Sequence, residues 1–182
     1  MNENAENMTT KKLTLMSALT AAALIIFIIE AQIPLPIAIP GVKLGLANTV
    51  TLFALFYSRV RDRGADNLTT TDAFLILVCR ILLGAIFTGR LVTFIYSIAG
   101  GLLAFAAQTL MRKFVTGNQI WVCGAAGALF HNVGQIAAAI LVTGTPAIAA
   151  YLPVLIIAGV VTGVITGFAA QFTLNRLALI RR

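Results

Sequence analysis

The chain has 182 residues, of which 59% are hydrophobic and only 10% are charged, and its formal net charge is +7. A soluble domain of this size would need a charged outer surface that this composition cannot supply. The basic residues are divided among four short segments rather than gathered in one patch, which argues against a nucleic-acid partner. The composition therefore indicates an integral membrane protein in a lipid bilayer.

Six apolar segments follow one another along the chain, most of them near the ~20 residues that cross the hydrocarbon core of a bilayer. They predict an all-α bundle of six transmembrane helices, with spans at about 13–33, 43–57, 72–89, 90–111, 119–142 and 148–175. A cytoplasmic N-terminus would place ten of the 13 basic residues on the cytoplasmic side, in agreement with the positive-inside rule. We therefore predict one membrane domain over residues 11–176, cytoplasmic tails over 1–10 and 177–182, and location in the cell membrane.

One interruption of the apolar sequence stands out, between residues 34 and 48. Pro34, Pro36 and Pro40 break the first segment, and Lys43 and Asn48 then precede or enter the second. Backbone that leaves helical geometry at membrane depth is tolerated only where protein buries it or where it lines a water-filled cavity. We therefore expect this break to form part of a site on the outer face.

Small residues recur at the spacing that allows helices to pack closely in lipid. Gly159, Gly163 and Gly167 form GxxxGxxxG in the last span, which predicts packing inside the bundle. Ala18 and Ala22 form AxxxA in the cytoplasmic half of the first span. The residues alone leave open whether these two alanines pack inside the bundle or against a partner.

Polar side chains within or beside the spans are candidate functional residues, because ionisable groups there cost about 2.5–3.5 kcal/mol each on insertion scales. His131 and Gln135 lie four residues apart on one helix face, with Asn132 adjacent. An excess of cations over acids favours an anionic or carboxylated ligand that amides also hold by hydrogen bonds. The candidate substrate-binding residues are Glu30, Lys43, Asn48, Arg80, Arg90, His131, Asn132 and Gln135.

Each of these residues also has a purely structural interpretation. A single intramembrane histidine can be a packing residue held by hydrogen bonds, and Arg80 can pair with Glu30 or cap backbone carbonyls. Lys43 and Arg90 can extend their charged ends to the membrane interface. The sequence by itself leaves these alternatives open.

The sequence lacks the usual signs of enzymatic chemistry. Its six acidic residues include no pair at metal-binding spacing within a span, and His131, the single histidine, has no cysteine or carboxylate close to it in sequence. The phosphate-binding GxxxxGK[ST] loop is absent, so ATP hydrolysis would need another subunit. We therefore expect a chain that is not an enzyme and that carries no metal or cofactor.

Four stretches of the chain carry a family resemblance. They are KKLTLMSALTAAALIIF from Lys11, PGVKLGLANTVTLFAL from Pro40, GALFHNVGQ from Gly127 and YLPVLIIAGVVTGVITG from Tyr151. Together they resemble the Gx transporter family, also known as heptaprenyl diphosphate synthase component I, over nearly the whole chain from residue 11 onward. That family is similar in turn to the substrate-binding S components of energy-coupling factor (ECF) vitamin transporters, which are six-helix membrane proteins.

The resemblance implies a subunit that captures its substrate and docks on an ECF-type transmembrane coupling protein driven by two cytoplasmic ATPases. By the same resemblance, Ala18 and Ala22 would form the docking surface on the first helix. A vitamin-like nutrient or cofactor precursor would be held at the outer face by residues 30–48 and by the later helices, including Tyr151. The implied mechanism is capture outside, toppling of the whole bundle and release inside.

The second name of the family implies prenyl transfer, and the sequence argues against that activity. Prenyl diphosphate synthases bind Mg²⁺-diphosphate through two DDxxD motifs, because paired carboxylates hold hard cations. Here Asp62, Asp66 and Asp72 are isolated in or beside one predicted cytoplasmic loop. The alternative to transport is therefore a non-catalytic accessory subunit of a quinone, isoprenoid or redox pathway in the membrane.

Overall fold

The structure is a computed structural model that describes residues 3–33, 43–59 and 67–180, with side chains described from residue 10 to residue 179 within those ranges. These residues form six α-helices and no strand. The helices are α1 (Glu3–Glu30), α2 (Asn48–Tyr57), α3 (Thr70–Thr88), α4 (Leu91–Met111), α5 (Ile120–Thr143) and α6 (Leu152–Ile180). Single 3₁₀ turns precede α5 (Gly117–Gln119) and α6 (Pro146–Tyr151). The predicted all-α architecture is confirmed.

Five helical segments are long and apolar enough to cross a bilayer. They are Thr10–Glu30, Thr70–Thr88, Leu91–Met111, Gly117–Thr143 and Pro146–Leu179. The chain is thus a multi-pass membrane protein. The predicted count of six spans is not confirmed, because α2 has ten residues and extends only about 15 Å.

The predicted span over 43–57 is shortened at its N-terminal end. Residues 43–45 are not helical, and α2 begins at Asn48. Gly45 has φ +82°, a left-handed conformation that interrupts a right-handed helix and that glycine adopts without a steric cost. The proline-rich part of the predicted break, residues 34–42, lies outside the described residues.

The short helix α2 lies at the centre of the bundle and contacts each of the other five α-helices. Eight of its ten residues are buried. Leu52, Leu55 and Phe56 belong to the main hydrophobic cluster, which also includes Ile76 of α3 and Leu174 of α6. This cluster fills the bundle around the C-terminal half of α2, and the N-terminal end of α2 is left for polar side chains.

Helices α4, α5 and α6 pack closely in series because glycines line their contacts. A Cβ added at Gly163 would lie 2.6 Å from the carbonyl oxygen of Gly124, and one at Gly134 would lie 2.6 Å from that of Ala99. Neither distance is compatible with a real side chain. The prediction that Gly163 and its neighbours in the GxxxGxxxG series serve packing is confirmed.

One end of the bundle is held together by basic side chains. Lys12 of α1 pairs with Asp72 of α3 at 2.7 Å. The guanidinium of Arg112 donates to Ser58 Oγ at 2.6 Å, and Arg59 donates to the carbonyl oxygen of Val115 at 2.8 Å. These contacts join α1 to α3 and the C-terminal end of α2 to that of α4, and Arg112 also donates to Thr70 Oγ1 of α3 at 3.3 Å, which connects the two pairs. We call this end of the bundle the basic end. Residues 43–47, which precede α2 and are not helical, are called the connector, and the opposite end of the bundle is called the connector end.

Candidate functional site

The connector is attached to α1 by a buried carboxylate. Glu30, the last residue of α1, is only 4% exposed. Its Oε1 accepts hydrogen bonds from the backbone N–H groups of Gly45 at 2.5 Å and Leu46 at 3.2 Å. In the part of the chain that the structure describes, no cation lies within 4.0 Å of this carboxylate, so Arg80 and Glu30 do not form the direct ion pair considered from the sequence.

A chain of polar contacts then crosses the bundle from α3 to α5. Arg80 Nη2 donates to Asn48 Oδ1 at 3.1 Å, and Asn48 Nδ2 lies 3.1 Å from His131 Nδ1. On the other side of the imidazole, Gln135 Nε2 lies 2.6 Å from His131 Nε2. Gln135 Oε1 accepts a hydrogen bond from the backbone N–H of Lys43 at 2.9 Å, so the last contact of this chain is with the connector.

The position of the histidine ring depends on close packing between α4 and α5. A Cβ added at Gly100 would lie 2.8 Å from both Nδ1 and Cε1 of His131. A neutral imidazole accepts at only one nitrogen, so only one of the two facing amides can donate to it.

Two cationic side chains of the site each have one nitrogen without a hydrogen-bond acceptor among the described residues. Lys43 Nζ and Arg80 Nε are buried, and neither has a hydrogen-bond partner. Both groups face the ring of Phe27: Nζ of Lys43 lies 3.2 Å from the ring centroid, and the guanidinium carbon of Arg80 lies 5.8 Å from it. A cation–π contact offsets part of the cost of desolvation but supplies no hydrogen-bond acceptor. An anion would supply one.

Lys43 lies outside the five candidate spans, and its surroundings lower the pKa of its side chain. Burial lowers the pKa of its ammonium group to about 8. The carboxylate of Glu30 opposes this shift, and the guanidinium groups of Arg80 and Arg90 reinforce it. A bound anion would stabilise the charged form of Lys43 by the same electrostatic reasoning.

Seven of the eight predicted substrate-binding residues are buried. Six of them belong to the cluster around the connector, which comprises Glu30, Lys43, Asn48, Arg80, His131 and Gln135. Asn132 is completely buried but points to α6, where its Nδ2 donates to the carbonyl oxygen of Leu155 at 2.6 Å. Arg90 is exposed in the turn before α4, and Tyr151 is exposed at the end of the 3₁₀ segment that precedes α6.

Two residues of the site were not found from the sequence. Phe27 lies one turn before Glu30 on α1, and this three-residue spacing on one helix face was the available signal. Thr49 follows Asn48, and its hydroxyl is buried without a hydrogen-bond partner. The predicted docking alanines lie on the same helix as Phe27, nearer the basic end: Ala18 is exposed and Ala22 is half-buried.

No metal site is formed by the described residues. Among them, no group of three or more His, Cys, Asp or Glu side chains is arranged to hold a metal ion. The polar cluster is thus built from amides, one imidazole, one carboxylate and two cations, a donor-rich set that suits an organic anion.

The comparison with known families supports the predicted relationship. The family profile for heptaprenyl diphosphate synthase component I matches residues 19–173. The chain belongs to this family. The match runs from the second half of α1 to the C-terminal part of α6, so the matched region includes all of the candidate substrate-binding residues. No curated protein and no solved structure matches the chain.

Proposed function

We propose that this family member is the substrate-binding subunit of an uptake system in the cell membrane. It captures a small organic anion, a vitamin-like nutrient or a cofactor precursor, at the connector end. The observation that carries this proposal is the pair of buried cationic groups, Lys43 Nζ and Arg80 Nε, which lack hydrogen-bond acceptors beside Phe27. Uncompensated charge at membrane depth is costly and is retained where a ligand or an ion must be bound.

The shape of the site supports transport rather than a purely structural role. The half-length helix α2 begins at Asn48, so its N-terminus is directed to the cluster. Discontinuous helices whose N-termini point at a substrate are a recurring feature of transporters, since the helix dipole favours an anion there. Helix α2 would then occupy the place of the sixth span, with the connector at its outer edge.

The orientation follows from the charges. Lys12, Arg59 and Arg112 lie at the basic end, where positive residues are expected to face the cytoplasm. Both termini would then be cytoplasmic, and the connector end would face outside. In this orientation the site lies on the side of the membrane from which a nutrient arrives.

Energy would come from other subunits. We propose that α1 docks on an ECF-type transmembrane coupling protein that is driven by two cytoplasmic ATPases. Ala18 is exposed on α1 and Ala22 is half-buried there, and small residues allow a partner helix to approach closely. Neither alanine takes part in the polar cluster, so docking and ligand binding can be separated by mutation.

Native mass spectrometry of the complex purified from its own membranes tests this function. We expect a co-purified small anion together with a coupling protein and two ATPases. The variant Ala18→Trp/Ala22→Trp should lose these subunits and keep the anion, whereas Ala137→Trp, at an exposed alanine on α5, should keep both. Normal assembly of the double variant would contradict the docking proposal, and a stable complex without ATPases would contradict uptake.

The name of the family supports a second candidate. "Component I" of a synthase implies a partner, and the chain could be a membrane accessory subunit of an isoprenoid or quinone pathway. The same purification distinguishes the two functions, because this candidate requires a prenyl-transferring subunit in place of the ATPases.

A further inference from the structure

Two arginines at the basic end are held close together by neutral acceptors. The guanidinium carbons of Arg59 and Arg112 lie 4.7 and 5.8 Å from the ring centroid of Phe56, so both cations face the same buried ring. Neutral oxygens accept their hydrogen bonds, namely the carbonyls of Arg112 and Val115 and the hydroxyls of Ser58 and Thr70. Within the described ranges, no carboxylate lies within 4.0 Å of either guanidinium. Burial lowers the pKa of Arg112, and the charge of Arg59 lowers it further, as expected for two cations at close range.

The surrounding charge is positive as well. The segments of sequence assigned to the basic end contain ten basic residues and five acidic ones. Asp72, the one acidic residue of this end whose side chain the structure describes, already pairs with Lys12. Lys113 follows Arg112 and is exposed, and it forms no ion pair with the residues that the structure describes. The two arginines therefore lie in an excess of positive charge, and each retains guanidinium N–H groups for an external anion.

An apolar seam between α3 and α4 adjoins the two arginines. Thr70 and Phe74 lie four residues apart on α3, and Phe105 and Arg112 lie seven apart on α4, so each pair shares one helix face. At one end of the seam, Arg112 donates to Thr70 Oγ1 at 3.3 Å. Further along it, the rings of Phe74 and Phe105 are in contact, with centroids 5.5 Å apart, and Phe74 is exposed. Thr70 and Met111 are the ends of two candidate spans, so the guanidinium lies at the membrane interface and the two rings lie on the bilayer side of it.

We propose that the basic end binds an anionic phospholipid at the seam between α3 and α4. The lipid phosphate accepts hydrogen bonds from Arg59 and Arg112, and an acyl chain lies over Phe74 and Phe105. The planar guanidinium offers paired N–H groups that match phosphate oxygens, which makes arginine a strong phosphate ligand. Lys113 adds a third positive charge beside the head group. This inference requires only that α3 and α4 cross the bilayer, so it stands or falls independently of the proposed uptake function.

The position of the two arginines favours a lipid over a soluble anion or an acidic protein. Lipid phosphates occupy the depth at which spanning helices end, so anionic head groups are already concentrated beside Arg112. A free phosphate has no chain to place on the apolar seam. The docking face proposed for a partner protein is on α1, and α1 does not contact α4 in the part of the chain that the structure describes. The seam is therefore not part of that face.

Native mass spectrometry of the detergent-purified protein with added lipids tests the proposal. Dioleoylphosphatidylglycerol carries one negative charge, and dioleoylphosphatidylcholine has the same chains and no net charge. Glycerol 1-phosphate carries the charged phosphate without the chains. The three probes therefore separate the contribution of the charge from that of the lipid.

The variants separate the seam from the general charge of the protein. Arg112→Gln removes one of the two phosphate ligands, but it also removes the contacts to Ser58 and Thr70. Lys113→Glu reverses the neighbouring charge without removing an ion pair or a hydrogen bond of the described residues. Arg176→Glu, at an exposed arginine near the C-terminus of α6, is its matched control. Gel filtration verifies that each variant remains monodisperse.

We expect the first phosphatidylglycerol to bind about tenfold more tightly than phosphatidylcholine. Arg112→Gln and Lys113→Glu should each weaken phosphatidylglycerol binding about fivefold or more, and Arg176→Glu should leave it unchanged. Equal binding of the two lipids, or an equal loss in Lys113→Glu and Arg176→Glu, would overturn the proposal. Displacement of phosphatidylglycerol by an equal concentration of glycerol 1-phosphate would overturn the lipid in favour of a soluble anion. Loss of co-purified protein subunits in Lys113→Glu with unchanged lipid affinity would assign the charge to a protein partner and overturn the lipid as well.

A photoreactive phosphatidylglycerol with a diazirine in its acyl chain locates the bound lipid. We expect it to label the peptides that contain Phe74 and Phe105, and we expect this labelling to fall in Lys113→Glu but not in Arg176→Glu. Labelling confined to other helices would overturn the placement of the lipid in the seam.

Discussion

Gly45 provides a sharp test of the site, because the chain contains a matched control for it. Gly45 and Gly89 both have positive φ, +82° and +62°. A Cβ added at Gly45 would lie 2.8 Å from His131 Cδ2 and 3.1 Å from Asn48 Nδ2. A Cβ at Gly89 would meet nothing within 4 Å. Both alanine variants therefore carry the same backbone strain, but only Gly45→Ala displaces the polar cluster.

The expected effect follows from these contacts. The left-handed conformation costs an alanine about 1–2 kcal/mol at either position. At Gly45 the displaced imidazole and amide also lose their hydrogen bonds, and a buried polar group left without a partner costs about 1–3 kcal/mol. Gly45→Ala should thus destabilise the protein by about 1–3 kcal/mol more than Gly89→Ala, a difference of several degrees in Tm for a chain of this size.

Thermal unfolding followed by gel filtration in detergent measures this difference. Binding of a carboxylate probe to the same two variants tests the function, and we expect Gly45→Ala to bind it at least about tenfold more weakly than Gly89→Ala. Equal Tm values and equal affinities for the two variants would refute the reasoning, because the polar cluster would then tolerate displacement of His131 and Asn48.

Three further predictions follow from single contacts. Arg80→Gln should reduce the affinity for a carboxylate about 10- to 100-fold, which corresponds to the loss of one charge-assisted hydrogen bond. Arg90→Gln, in the exposed turn before α4, should reduce the affinity less in the same binding assay. Raising the pH from 7 to 9 should weaken carboxylate binding, because the Lys43 ammonium loses its proton near pH 8. The Lys43→Gln variant should bind with the same affinity at both pH values. If its affinity fell with pH as that of the wild type does, Lys43 would be excluded as the cause. Gly163→Ala should lower the free energy of unfolding by about 1–3 kcal/mol, because α5 must move away from the added Cβ. Gly117→Ala should not lower it, because a Cβ at Gly117 meets no atom within 4 Å. Equal unfolding curves for the two variants would contradict the close packing of α5 and α6.

The pH prediction for Lys43 has opposite signs for binding and for stability. Its pKa in the folded protein is lower than the usual lysine value of 10.5, because burial disfavours the charged form. Between about pH 8 and 10.5 the unfolded chain therefore binds more protons than the folded one, and the free energy of unfolding rises with pH in that window. Weaker anion binding together with a more stable protein above pH 8 separates this effect from general alkaline unfolding.

The long helices were predictable from the sequence because apolar segments of nearly the right length have few alternative structures in a membrane. The start of α2 was not, because it depends on the conformation of Gly45 and on the hydrogen bonds that Gly45 and Leu46 donate to Glu30, which lies fifteen residues before Gly45. Hydropathy alone cannot distinguish an apolar segment that is not helical from the beginning of a helix.

The composition of the site was largely predictable, and its geometry was not. Buried polar residues are few in this sequence, so a census of them contained Arg80, His131 and Gln135. Their convergence depends on how closely α4 approaches α5 at Gly100, which is a property of tertiary packing. Phe27 was missed for a related reason: in an apolar helix, an aromatic residue that faces two cations looks the same as one that faces lipid.

Phe27 also links the two ends of the proposed function. It belongs to α1, and α1 packs only against α2 and α3 in the described residues. Its ring fits against Gly84 of α3, where an added Cβ would lie 2.7 Å away, and it faces Lys43 Nζ and the guanidinium of Arg80. A partner that shifts α1 would therefore withdraw the ring from Lys43 and Arg80. A partner on α1 would in this way change the affinity of the protein for its ligand. By thermodynamic linkage, the ligand changes the affinity of the partner for α1 by the same factor.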